Sequence, residues 1–169
     1  MTQMMKKFFL TLAVALFATL SYAQKDIPAG GSMELAAIES GDDQLALYKI
    51  KDKEGKPSFL FTASHQLISF DVQTPDSSGG IGFADGKALI IGESYEDALK
   101  TLEELIALFD QADGTQKEFT CMDGSTVTVT LHKGFLGRHL SVGDASVSKG
   151  ELKSLRTGLK LSKKLHSEL

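Results

Sequence analysis

The stretch KALIIGESYEDALKTLEELIALFDQADG, residues 87 to 114, changes its hydrophobic period once, at Ser94, and that change decides the fold. Lys87 to Ile91 is a short aliphatic run of the kind that forms a strand. Beyond it, Ala98, Leu99, Leu102, Leu105, Ile106 and Phe109 recur every three or four residues, while Glu96, Lys100, Glu103, Glu104 and Asp110 fall on the opposite side. This is an amphipathic helix over 94 to 112. Ser94-Tyr95-Glu96-Asp97 opens it as a capping box, with Asp in place of the usual Glu or Gln reaching back to a free backbone N–H. Asp113-Gly114 closes it.

The same order returns downstream. KEFTCM (117 to 122) and STVTVTLHK (125 to 133) read as strands about the turn Asp123-Gly124, and GFLGRHLSVG (134 to 143) as a third. A second helix over 148 to 166 opens with Ser148-Lys149-Gly150-Glu151, a fuller capping box, and carries Leu152, Leu155, Leu159 and Leu165 on one side. Upstream, LALYKIK (45 to 51) and SFLFTA (58 to 63) flank a polar, glycine-containing hairpin loop, and LISFDV (67 to 72) is a further strand. Gly82-Phe83, Gly86-Lys87, Leu89, Ile91 and Gly92-Glu93 match Gly134-Phe135, Gly137-Arg138, Leu140, Val142 and Gly143-Asp144 with one gap, as a duplicated unit with halves 45–113 and 117–166 would leave them.

These elements predict an α+β domain over 34–169 with a mostly antiparallel sheet of about 6–8 strands and two amphipathic helices, laid out as two β-β-β(-β)-α passes. The element order resembles that of the whirly-type single-stranded nucleic-acid binders. No motif of that family is present, and element order alone implies no function.

The N-terminus predicts export. Lys6 and Lys7, the apolar run Phe8 to Leu20 and the small residues Ser21 and Ala23 are laid out as a secretory signal peptide over 1–23, cleaved after Ala23. Gln24 stands where a lipoprotein would need cysteine, and no second long apolar run follows, so a chain free of membrane spans is expected in a periplasm or outside the cell. Residues 24–33, with Pro28 and Gly30-Gly31, read as a flexible arm. The remaining 146 residues suffice for one core, and the single cysteine excludes an internal disulfide. Net charge after cleavage is −6: residues 24–116 carry −10 and residues 117–169 carry +4.

Chemistry is sparse. Cys121 with His132 or His139 is the one arrangement from which a cysteine-dependent hydrolase or transferase could be built. The strand pattern that puts Cys121 on the side of Phe119 reads equally as a small buried hydrophobe. His132 and His139 lie on successive strands and could meet as a metal pair, but no histidine spacing on a helix forms a metal motif, so no metal is assigned. His65 reads as a turn residue and His166 as a helix-end cation. Gly79-Gly80-Ile81-Gly82 leads into a strand rather than a helix, which excludes a phosphate loop, and Asp42, Asp43, Asp71, Asp76 and Asp85 lack calcium-loop spacing. No cofactor is implied.

Lys149, Lys153, Arg156, Lys160, Lys163 and Lys164 gather in a narrow stripe on the second helix, a surface for anionic lipid or a polyanion or, in the plainer reading, a face leaning on the acidic first half. The net charge of −6 and the absence of Trp argue against nucleic acid. The expectation is an exported, non-enzymatic binding or accessory protein of the cell envelope, its partner a protein or another envelope component. The cysteine enzyme and the anionic-surface binder stand as alternatives.

Overall fold

LALYKIK and SFLFTA pair as a hairpin because the chain between them supplies its own turn. Asp52 accepts the Lys56 backbone N–H through Oδ1 (2.7 Å), and Gly55 adopts a positive φ of 83° to bring its N–H to the Asp52 carbonyl (3.0 Å). The computed structural model describes residues 27–40, 43–64, 87–135 and 137–167. Within them, β1 (Ser32–Ser40), β2 (Asp43–Lys51), β3 (Pro57–Ser64) and β4 (Lys87–Gly92) form one antiparallel sheet in chain order, followed by helix α1 (Tyr95–Leu108). β5 (Gln116–Thr120), β6 (Thr126–Gly134), β7 (Gly137–Val142) and β8 (Ala145–Val147) form a second, again in chain order, followed by α2 (Lys149–Ser167). The fold is α+β with two four-stranded antiparallel sheets and two helices. The strand expected at 67–72 and residue His65 lie outside the described residues, as does the expected signal peptide.

Two strands are not separated by the sequence reading. In β1 a register shift between Glu34 and Ala36 breaks the alternation that would have betrayed a strand, and Leu35 is buried there. β8 spans three residues, too few for a period. The described part of the expected arm at 24–33 is tied to the first sheet. Gly30 donates to the carbonyls of Lys51 (3.0 Å) and Asp52 (2.9 Å), Lys51 donates to Gly31, and Ser32 and Met33 already belong to β1.

The sheets meet along β4. Leu89 and Cys121 form an antiparallel bridge, and the Met122 N–H donates to the Ala88 carbonyl (2.9 Å). One core runs through both halves: Leu45, Leu47, Phe59, Phe61 and Leu89 of the first sheet, Phe119, Val129, Leu131, Leu140 and Val147 of the second, Leu102 and Leu105 of α1, and Leu152, Leu155 and Leu159 of α2. A smaller cluster of Ala46, Tyr48, Ile50, Leu60 and Ala88 occupies the other face of the first sheet.

Both helix starts follow from local chemistry. Ser148 and Glu151 complete a reciprocal box, the Ser148 N–H donating to Glu151 Oε2 (2.7 Å) and the Glu151 N–H to Ser148 Oγ (3.2 Å). At α1 the shorter Asp97 does not reach the backbone. The Asp97 N–H donates to Ser94 Oγ (3.1 Å), and that hydroxyl donates to the Asp97 carboxylate (2.7 Å), so only half of the expected box forms. α1 also stops earlier than its apolar period, because the N–H groups of Phe109, Asp110 and Gln111 bond three residues back and tighten the last turn.

The helices lie antiparallel. Glu96 and Glu103 on α1 and Asp110 just past its end, seven residues apart, meet Lys163, then Arg156 and Lys160 (3.8 Å each), then Lys149 (2.8 Å) on α2. On its other side α2 approaches β1 closely enough that a Cβ on Gly158 would lie 2.7 Å from the Cβ of Ala36.

Candidate functional site

The alternation of β6 separates the residues that the sequence brings forward together. Val127, Val129 and Leu131 point into the core, while Thr126, Thr128 and His132 point outward. Cys121 belongs to the core side, 2% exposed and free of any disulfide, its backbone committed to Ser125 (2.7 Å) and to the bridge with Leu89. His132 and His139 belong to the outer side. A thiol and imidazoles on opposite faces of one sheet do not form a nucleophile and base, so the structure does not bring Cys121 together with His132 or His139.

The two histidines do meet. They are opposed residues in the β6–β7 register, and their rings stack with centroids 5.5 Å apart and planes inclined by 30°. His132 is exposed and His139 half-buried. Thr130 and Ser141, also opposed in register, are the next pair on the same face.

The hairpin carrying them turns over between Gly134 and Gly137, the latter at a positive φ of 117° that favours glycine. At this apex Phe135 is fully exposed. The rung next to the apex, Lys133 opposite Arg138, is tied to the turn after α1. The Lys133 N–H donates to Asp113 Oδ1 (2.7 Å), and Arg138 Nη1 donates to the carbonyls of Phe109 (2.5 Å) and Gln111 (2.8 Å). α1 has no basic residue in its last turn, and Arg138, arriving from β7, supplies the cation that its C-terminal carbonyls favour. An open cleft of about 540 Å³ beside this contact is lined by Phe109, Asp110, Arg138 and Lys149. Its carboxylate is already matched: the hydrogen bond from Lys149, then the charges of Lys149, Arg138 and Lys153, hold Asp110 below the usual carboxylate range.

The basic stripe of α2 has a structural task. Arg156, Lys160 and Lys163 are paired with acids of α1, Lys149 with Asp110 just past it, and Lys164 also has a partner. Lys153 contributes to the field that lowers Asp110. This is the acidic first half leaning on the basic second half that the charge asymmetry implies. At the far end of α2, His166 is not simply a helix-end cation. Its Nδ1 lies 2.7 Å from the Tyr95 hydroxyl, with Ser162 Oγ 3.4 Å from both, and joins the end of α2 to the start of α1.

Among the described residues no three of His, Cys, Asp and Glu gather as a metal cage, and no helix is long and apolar enough to cross a membrane. The chain matches no protein-family model, no curated protein and no solved structure.

Proposed function

We propose that this chain is an exported, non-enzymatic binding module of the cell envelope, and that it engages a protein partner through the β6–β7 hairpin. The carrying observation is Phe135, a large aromatic side chain wholly in solvent at the apex of an anchored hairpin. Aromatic residues at such points serve as anchors that fill a partner's pocket, and a stem held on both strands limits the ordering cost of docking. The burial of Cys121 away from both imidazoles supports a binding role over covalent catalysis. Export rests on the layout of residues 1–23, and mass spectrometry of the protein from a secreting host should find Gln24 at the mature N-terminus.

A photoreactive amino acid at position 135 tests the contact in the native envelope. It should trap a discrete adduct that the same group at Lys53, exposed in the β2–β3 turn, does not trap. No adduct at 135, or the same adducts from both positions, would remove the hairpin as the recognition element.

A further inference from the structure

We propose that His132 and His139 together form a site for a divalent transition-metal ion of the copper and zinc class. Imidazole is the side chain that these ions share as a preferred ligand, and it binds through a ring nitrogen at about 2.0 Å. The opposed register fixes the two Cα atoms across one rung of the ladder, and the rings already lie against each other with centroids 5.5 Å apart. In the stack the lone pairs of the ring nitrogens lie in the ring planes and do not converge, so binding turns both rings about their side-chain torsions out of the stack while the backbone register is kept.

The surroundings favour the same reading. Among the described residues no side chain forms a hydrogen bond with either ring, so neither imidazole is held by a competing partner. The sequence neighbours Lys133 and Arg138 would repel a cation if they shared the outer face. Strand alternation sends them to the opposite one, where Arg138 is bound to the α1 carbonyls. Thr130 and Ser141 place hydroxyls beside the pair, suited to hydrogen-bond water on a bound ion. Two protein ligands leave the remaining coordination positions to water or to a donor from a bound molecule, which makes an exchangeable site rather than a structural one. The site does not depend on the hairpin being a recognition element.

Copper(II) titration of the purified, untagged chain, with glycine as a weak competing chelator, tests the assignment. One ion per chain should bind, with an electron paramagnetic resonance spectrum showing coordination by two imidazole nitrogens. His132→Gln and His139→Gln should each abolish this signal while leaving the thermal midpoint unchanged, since both rings lie on a solvent-facing surface. His65→Gln and His166→Gln should retain it. No uptake against glycine, uptake surviving in the double variant H132Q/H139Q, or loss of the signal in H65Q or H166Q would each overturn the proposal. Because the titration needs no partner, its failure is separate from failure of the cross-linking at position 135.

Discussion

The two sheets are built to the same plan and buried differently. In the first, both faces are covered: Leu45, Leu47, Phe59 and Phe61 face the shared core, while Ala46, Tyr48, Ile50, Leu60 and Thr62 are buried on the reverse. Polar groups there must find partners within the protein. Tyr48 donates to Glu34 Oε2 (3.2 Å), and its burial, then the charge of Glu34, push its hydroxyl pKa upward; Thr62 donates to the Ala46 carbonyl (3.4 Å). The second sheet buries one face only. Its reverse side presents Glu118, Thr120, Thr126, Thr128, His132 and Ser146 to solvent. A meander followed by a helix therefore constrains topology without constraining how many sides are dry, and the half-wet sheet leaves a row of polar side chains in solvent.

The contrast can be broken most directly on the reverse faces. Leu60→Ala in the first sheet should cost about 2–5 kcal/mol, the range for buried leucine truncation, whereas Thr128→Ala in the second should stay within about 0.5 kcal/mol. Urea unfolding of both variants measures the difference, and comparable losses would mean that the reverse faces are equivalent. A smaller effect separates the strand exits. A Cβ on Gly92 would lie 2.6 Å from the Asp97 Cβ and 2.8 Å from the Ala98 nitrogen, so Gly92→Ala should cost about 1–3 kcal/mol through crowding of strand against helix. At the matching Gly143 the nearest atom is Lys87 Cγ at 4.0 Å and only the φ of 60° opposes a side chain, so Gly143→Ala should cost about 1 kcal/mol. The reverse ranking in thermal unfolding would show that the two exits are not built as described.

The smallest effect concerns the charges joining the halves. Hydrogen bonds from Lys163, Lys117 and Lys149 lower the pKa values of Glu96, Glu104 and Asp110 respectively. Groups depressed in the folded state bind fewer protons there than in the unfolded chain. Their contribution is complete above the ordinary carboxylate range and is lost as pH falls through the depressed values. Lys149→Met with Lys163→Met should flatten this acid limb slightly, and because the pairs are exposed, about 1 M salt should do the same. An acid limb indifferent to both would assign it to other groups.

The difference between the sheets is readable in the letters. STVTVTLHK alternates strictly, as a strand wet on one side must, whereas LALYKIK and SFLFTA hold apolar residues at consecutive positions, as strands covered on both sides do. Both helices and their first turns are equally plain, because the 3.6 period and the capping serines are local properties. β1 is hidden by its bulge and β8 by its length. The candidate site is only partly legible: parity on a strand separates Cys121 from His132, but that His132 and His139 share one rung depends on a turn of two residues whose register GFLG alone does not dictate. Arg138 could not be anticipated as a cap for α1, since its partners lie 27 and 29 residues earlier in the chain.

That arginine has a mechanical consequence. With Lys133 and Arg138 pinned to the turn after α1, the tip between Gly134 and Gly137 is a short cantilever clamped on both strands. A force applied at Phe135 bears first on the end of α1, and through Asp110 on Lys149 at the start of α2, so load at the apex reaches the helix pair by way of two polar joints.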